Sequence, residues 1–103
     1  MKLPPDYISS YRELKAFVEE QGVIVEESER ATRRLYGIAD YDKNKIVIYP
    51  LAFGDKVEFE TLLHEYIHLY LGKGFHHSPL FKMIIRMYGL KPSRFAFRKD
   101  GRW

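Results

Sequence analysis

Cysteine is absent from the 103 residues. That excludes disulfide scaffolds, thiolate metal sites and cysteine nucleophiles together. Amide side chains are nearly absent as well, Gln21 and Asn44 being the only ones. With three methionines besides, this is the composition expected of a heat-adapted chain. No apolar run approaches the roughly 20 residues that span a bilayer. The opening Met-Lys-Leu-Pro-Pro-Asp lacks the apolar stretch of a signal peptide. The expectation is a cytoplasmic protein with no membrane partner. Repeats and low-complexity tracts are missing too.

What the chain does contain is an ordinary globular mixture, 46% apolar and 30% charged, enough for one core and one domain. The charge is divided unevenly. Residues 1–68 hold nine Lys/Arg and thirteen Asp/Glu, a balance of −4, whereas residues 69–103 hold eight Lys/Arg and a single acid, Asp100, a balance of +7. A basic end of this kind is either a solvated surface or an attraction to something acidic: nucleic acid, an acidic substrate or the first half of the same chain.

Local patterns divide the chain into three helices and a few short strands. Ser10 and Glu13 have capping-box spacing, with Asp6 as an alternative earlier cap, and Tyr7, Tyr11, Leu14 and Val18 fall on one helical stripe ending near Gly22. Val23-Ile24-Val25 reads as a short buried strand, and the charged residues 26–34 as a loop or strand entry. Leu35 to Tyr41 and Lys45 to Tyr49 flank the turn-forming Asp42-Lys43-Asn44, which predicts a hairpin with Ile46 and Ile48 on one side and Val47 and Tyr49 on the other. A second helix is predicted from about Asp55, which has cap spacing to Glu58, to Leu71, with Gly72 and Gly74 permitting a tight reversal. Ser78-Pro79 predicts the cap and first turn of a third helix carrying Leu80, Ile84, Ile85 and Tyr88 and stopping at Gly89. The fold class expected is α+β, a small antiparallel or mixed sheet whose hairpin packs on helices. Residues 1–93 make the domain and residues 94–103 a tail with Phe95, Phe97 and Trp103 as aromatic anchors.

Chemistry concentrates in the second helix. His64-Glu65-Tyr66-Ile67-His68 matches His-Glu-x-x-His. Residues four apart stand one above the other on a helix, so two imidazoles at this spacing can share one zinc ion at about 2.0–2.1 Å per nitrogen. Glu65 points beside that ion, where it can take a proton from a zinc-activated water. The neighbours Leu62, Leu63, Ile67, Leu69 and Leu71 are apolar, which makes the histidines and Glu65 polar interruptions in a buried helix, and buried polar groups need partners. All four histidines lie within residues 64–77, because His76 and His77 follow Gly74-Phe75. A catalytic zinc wants three protein ligands and one open position. His77, held against the Ser78 cap, is the candidate third ligand. That leaves His76 as a supporting group, a substrate contact or a solvated side chain.

These residues carry a family resemblance. Metzincins would need a histidine at position 74, which is Gly74, and typical gluzincins a glutamate downstream, whereas no Glu follows Glu65. The stretch His77-Ser78-Pro79-Leu80-Phe81 resembles the His-x-x-x-Phe that closes the site of SprT-like metallopeptidases. Gly37-Ile38-Ala39-Asp40-Tyr41, followed by Ile46-Val47-Ile48, is similar to their pre-helix hairpin. The chain also resembles the minigluzincins, single-domain zinc peptidases of similar size from thermophilic prokaryotes. The resemblance covers residues 35–85 well and the ends poorly. It implies a zincin-like fold, a Zn2+ cofactor held by His64, His68 and His77, Glu65 as general base, and peptide or protein as substrate. It further implies a latent zymogen in which residues 94–103 block the cleft. No single donor to the reaction's oxyanion stands out among Tyr66, Tyr70, Tyr88 and His76.

Two other classes compete with this reading. One is a nucleic-acid-associated module with a structural zinc, resting on Lys73, Lys82, Arg86, Lys91, Arg94, Arg98, Lys99 and Arg102 interleaved with aromatic residues. The other is a structural domain without zinc.

Overall fold

A computed structural model describes residues 1–29, 36–49, 55–75 and 78–89. The expected tail, 94–103, and both His76 and His77 lie outside the described residues. The elements run α1 Tyr11–Glu20, β1 Ile24–Glu27, β2 Gly37–Asp40, β3 Lys45–Ile48, α2 Asp55–Leu71, a 3-10 turn Lys73–Phe75, and α3 Pro79–Met87. The three strands form a mixed sheet in the order β1-β3-β2, with β1 parallel and β2 antiparallel to β3. The class is α+β, as expected.

Ser10, not Asp6, caps α1: its hydroxyl accepts from the Glu13 N–H at 3.2 Å and donates to Glu13 Oε1 at 2.9 Å. The helix therefore begins after Tyr7. That residue, placed on the apolar stripe by periodicity, is 77% exposed, while Tyr11, Leu14 and Val18 are buried as expected. The first strand is also displaced from its expected position. It spans Ile24–Glu27 at a sheet edge, and only the preceding Val23 is buried, Ile24 facing water. Its two carboxylates bind the surroundings: Glu26 pairs with Lys45 at 2.8 Å, and Glu27 accepts from Lys15 at 2.8 Å and the Tyr11 hydroxyl at 3.1 Å.

The hairpin forms as expected. Asp40 Oδ1 accepts from the N–H groups of Asp42 and Lys43, both at 3.1 Å, and Asn44 takes the left-handed conformation at φ 50°. The Asn44 side-chain amide donates to the Gly22 carbonyl at 3.0 Å, tying the hairpin tip to the turn after α1. Ile46 and Ile48 join the core with the helices, and Val47 on the other face is buried too.

Helix α2 occupies the centre. Every residue from Thr61 to Leu69 is buried, because α1, the sheet and α3 each cover part of its circumference. The N-terminal arm adds another cover: the Tyr66 hydroxyl donates to the Lys2 carbonyl, and Tyr88 to the Pro4 carbonyl at 2.7 Å. Gly72, at φ +88°, closes the helix and donates to the His68 carbonyl at 2.9 Å. Ser78 and Pro79 start α3 as expected, with the Ser78 hydroxyl accepting from the Phe81 N–H at 3.2 Å. The residue this helix sends into the core in its first turn is Phe81, not Leu80, which stays exposed.

Gly37 sets how closely the hairpin approaches α2. A Cβ there would stand 2.8 Å from Thr61 Cγ2 and 3.1 Å from the Val47 carbonyl oxygen. Thr61 is fully buried and β-branched, so it cannot swing aside. Gly37→Ala is expected to destabilise the fold by about 1–3 kcal/mol in denaturant melts. Thr61→Ser in the same chain removes the clashing methyl and should restore part of that loss; no recovery would contradict the contact.

Candidate metal centre

The four-residue spacing on α2 does what helical geometry requires. His64 Nε2 and His68 Nε2 lie 3.0 Å apart, in rings 4.7 Å apart at an interplanar angle of 68°. Both histidines and Glu65 are at least 95% buried, and their ligand atoms all lie within 4.8 Å of one another. Among the described residues this is the group of histidine and acidic side chains that can hold a metal ion.

Phe81 of α3 forms one wall. Its ring meets His64 edge-on, with centroids 4.8 Å apart, and lies tilted 30° to His68 at 4.5 Å. It fixes the two imidazoles by packing, and its place in the sequence is the last position of the His-x-x-x-Phe pattern. The histidine opening that pattern, His77, lies outside the described residues, as does His76.

The residues present fit a divalent ion. Two nitrogens each about 2.0–2.1 Å from a shared tetrahedral ion stand roughly 3.3 Å apart, close to the separation observed. Without an ion, one Nε2 carries the proton and donates it to the other. The carboxylate points the same way: Glu65 Oε2 is buried with no hydrogen-bond partner among the described residues. An isolated buried carboxylate is costly to ionise, and burial pushes the Glu65 carboxyl up to about 8. A nearby cation would favour its charged form. A pair of imidazoles suits zinc, copper, iron and nickel alike.

That raised carboxyl has a measurable consequence in protein treated with a chelator. Between the ordinary value of 4.5 and about 8, the folded chain keeps a proton that the unfolded chain releases. Stability therefore falls as pH rises through this interval, and the penalty is absent below it. Glu65→Gln has no proton to lose. The variant is expected to match wild type near the lower limit and to exceed it near the upper by on the order of a few kcal/mol in urea melts. An equal gap at both ends would contradict the burial argument.

The tyrosines fall on two sides. Tyr66 and Tyr88 donate their hydroxyls to the N-terminal arm, which removes them from the set of donors that could serve the site. Tyr41, which sequence reasoning passed over, feels the Glu65 carboxylate: burial first and that charge second raise its phenol. Lys73 sits over the Tyr41 ring at 5.9 Å and pairs with Asp42 at 3.3 Å, joining the hairpin tip to the turn after α2. No sequence signal marks Tyr41, since its approach to α2 depends on hairpin docking.

Comparison of the chain with protein-family models, with curated proteins and with solved structures found no match in any of the three.

Proposed function

We propose that the chain is a zinc-dependent endopeptidase. The observation that carries this reading is the convergence of two imidazole nitrogens on one buried point, with the buried carboxylate of Glu65 beside them and its Oε2 without a hydrogen-bond partner among the described residues. His64 and His68 would hold the ion, and His77, one residue before the α3 cap, would be the third ligand. When bound, zinc supplies Lewis acidity toward a carbonyl and a water of lowered pKa. Glu65 receives the water's proton at Oε2 and delivers it to the departing amine. Phe81 keeps the imidazoles in place and excludes solvent from their far side. The hairpin edge lying over α2 offers backbone groups that an extended peptide can pair with. The likeness to minigluzincins and SprT-like peptidases in His-Glu-x-x-His and His-x-x-x-Phe supports the same chemistry.

Cleavage of an unstructured protein substrate by the full chain tests the reading. Activity should vanish with a chelator and return when zinc is restored. Cleavage indifferent to chelation would refute a metal mechanism. Zinc binding without any cleavage, both by the full chain and by the chain lacking residues 94–103, would favour a structural ion.

A further inference from the structure

Helix α3 has more apolar surface than the core takes up. Its nine residues include no acid and only two charged side chains, Lys82 and Arg86. At 3.6 residues per turn, Phe81, Ile84 and Ile85 share the buried face. Leu80, Met83 and Met87 form a second stripe next to it, and they are 38%, 52% and 66% exposed. Lys82 and Arg86, four residues apart, make a third row that is also exposed. A surface helix normally turns its apolar arc inward and a polar arc outward. Here a row of large flexible side chains is left uncovered by the described residues, with a row of cations alongside.

The chemistry of the two rows selects the partner. Nucleic acid would satisfy the cations, but the stripe has no aromatic ring on which a base can stack. A second copy docked about a two-fold axis would bring the cationic rows toward each other, since nothing acidic on α3 answers them. An anionic lipid surface satisfies both rows at once, with apolar side chains entering the headgroup boundary and cations meeting lipid phosphates. The sign extends along the sequence, with eight Lys/Arg against one acid after residue 68. We propose that the exposed face of α3 docks the protein on anionic lipid surfaces through Leu80, Met83 and Met87, with Lys82 and Arg86 beside them. Docking is peripheral: among the described residues no helix is long and apolar enough to cross a membrane. The expectation of no membrane partner rested on the lack of such a span, which does not bear on a surface contact. The inference is independent of the peptidase reading.

Co-sedimentation of the full chain with vesicles tests it. Vesicles of equal parts phosphatidylcholine and phosphatidylserine should retain the protein at least about tenfold better than phosphatidylcholine alone, with retention weakening as salt rises. Met83→Gln with Met87→Gln should lower retention roughly tenfold. Lys82→Ala with Arg86→Ala should do likewise on the anionic vesicles only. All four positions are exposed, so circular dichroism and the thermal midpoint should stay unchanged. Three results would overturn the proposal: equal retention of wild type and both variants, retention of a DNA oligonucleotide with no vesicle binding, or a dimer that the methionine variant dissociates with no vesicle binding.

Discussion

Glu65→Gln is expected to lower kcat for peptide cleavage by about 10²–10⁴-fold while zinc stays bound. The argument is one of geometry. Glu65 follows His64 by one residue on α2, so its side chain is turned away from the line through His64 and His68 yet remains beside it. Its Oε2 is buried with no hydrogen-bond partner among the described residues. Gln keeps the size of the side chain and removes only the ability to take and return a proton. Its loss should therefore fall on kcat, with metal content and KM little changed. A variant that loses zinc instead would mark Glu65 as a ligand, and one that cleaves at the wild-type rate would remove it from the chemistry. The same substitution separates the enzyme from a nucleic-acid module, which would be indifferent to it.

The second large effect is expected at His68. His68→Ala should weaken zinc binding by at least roughly a hundredfold, because loss of a ligand costs no less than loss of the groups that orient one. The readout is zinc-dependent stabilisation. Wild type should gain about 2.7 kcal/mol at free zinc one hundred times its dissociation constant, and the variant no more than about 0.4 kcal/mol at the same concentration. Comparing each protein with and without zinc cancels the packing that His68 also loses against Phe81. An equal zinc-induced shift in both would show that the ion binds elsewhere.

Much of this arrangement is legible in the sequence wherever the signal is local. Helix α2 announces itself because apolar residues surround three polar ones, and its end is marked by Gly72. The hairpin is marked by Asp42-Lys43-Asn44, and α3 by Ser78-Pro79. What escapes is non-local. The edge position of β1 follows from its parallel pairing with β3, whose register no neighbouring residue encodes. Tyr7 continues the apolar period of α1 but precedes the Ser10 cap, so periodicity alone draws it inward. Phe81 rather than Leu80 enters the core because the orientation of α3 is set by its packing on α2. The hydroxyls of Tyr66 and Tyr88 go to an arm 64 and 84 residues away in sequence, a pairing that only the assembled fold brings about.

At the candidate site, the His64-Glu65-His68 part of the reading depends only on helical spacing, and the structure brings those three side chains together. The third position depends on how the chain passes from Phe75 to Ser78, through residues outside those described. Spacing could nominate His77, but it could not locate it.

Elemental analysis of the purified full-length chain, equilibrated with zinc and then freed of loosely held ions, tests the central claim most directly. About one zinc per chain in wild type, lost when both His64 and His68 are replaced by Ala, is the predicted result. Wild type without zinc, or a double variant that retains the full complement, would contradict it.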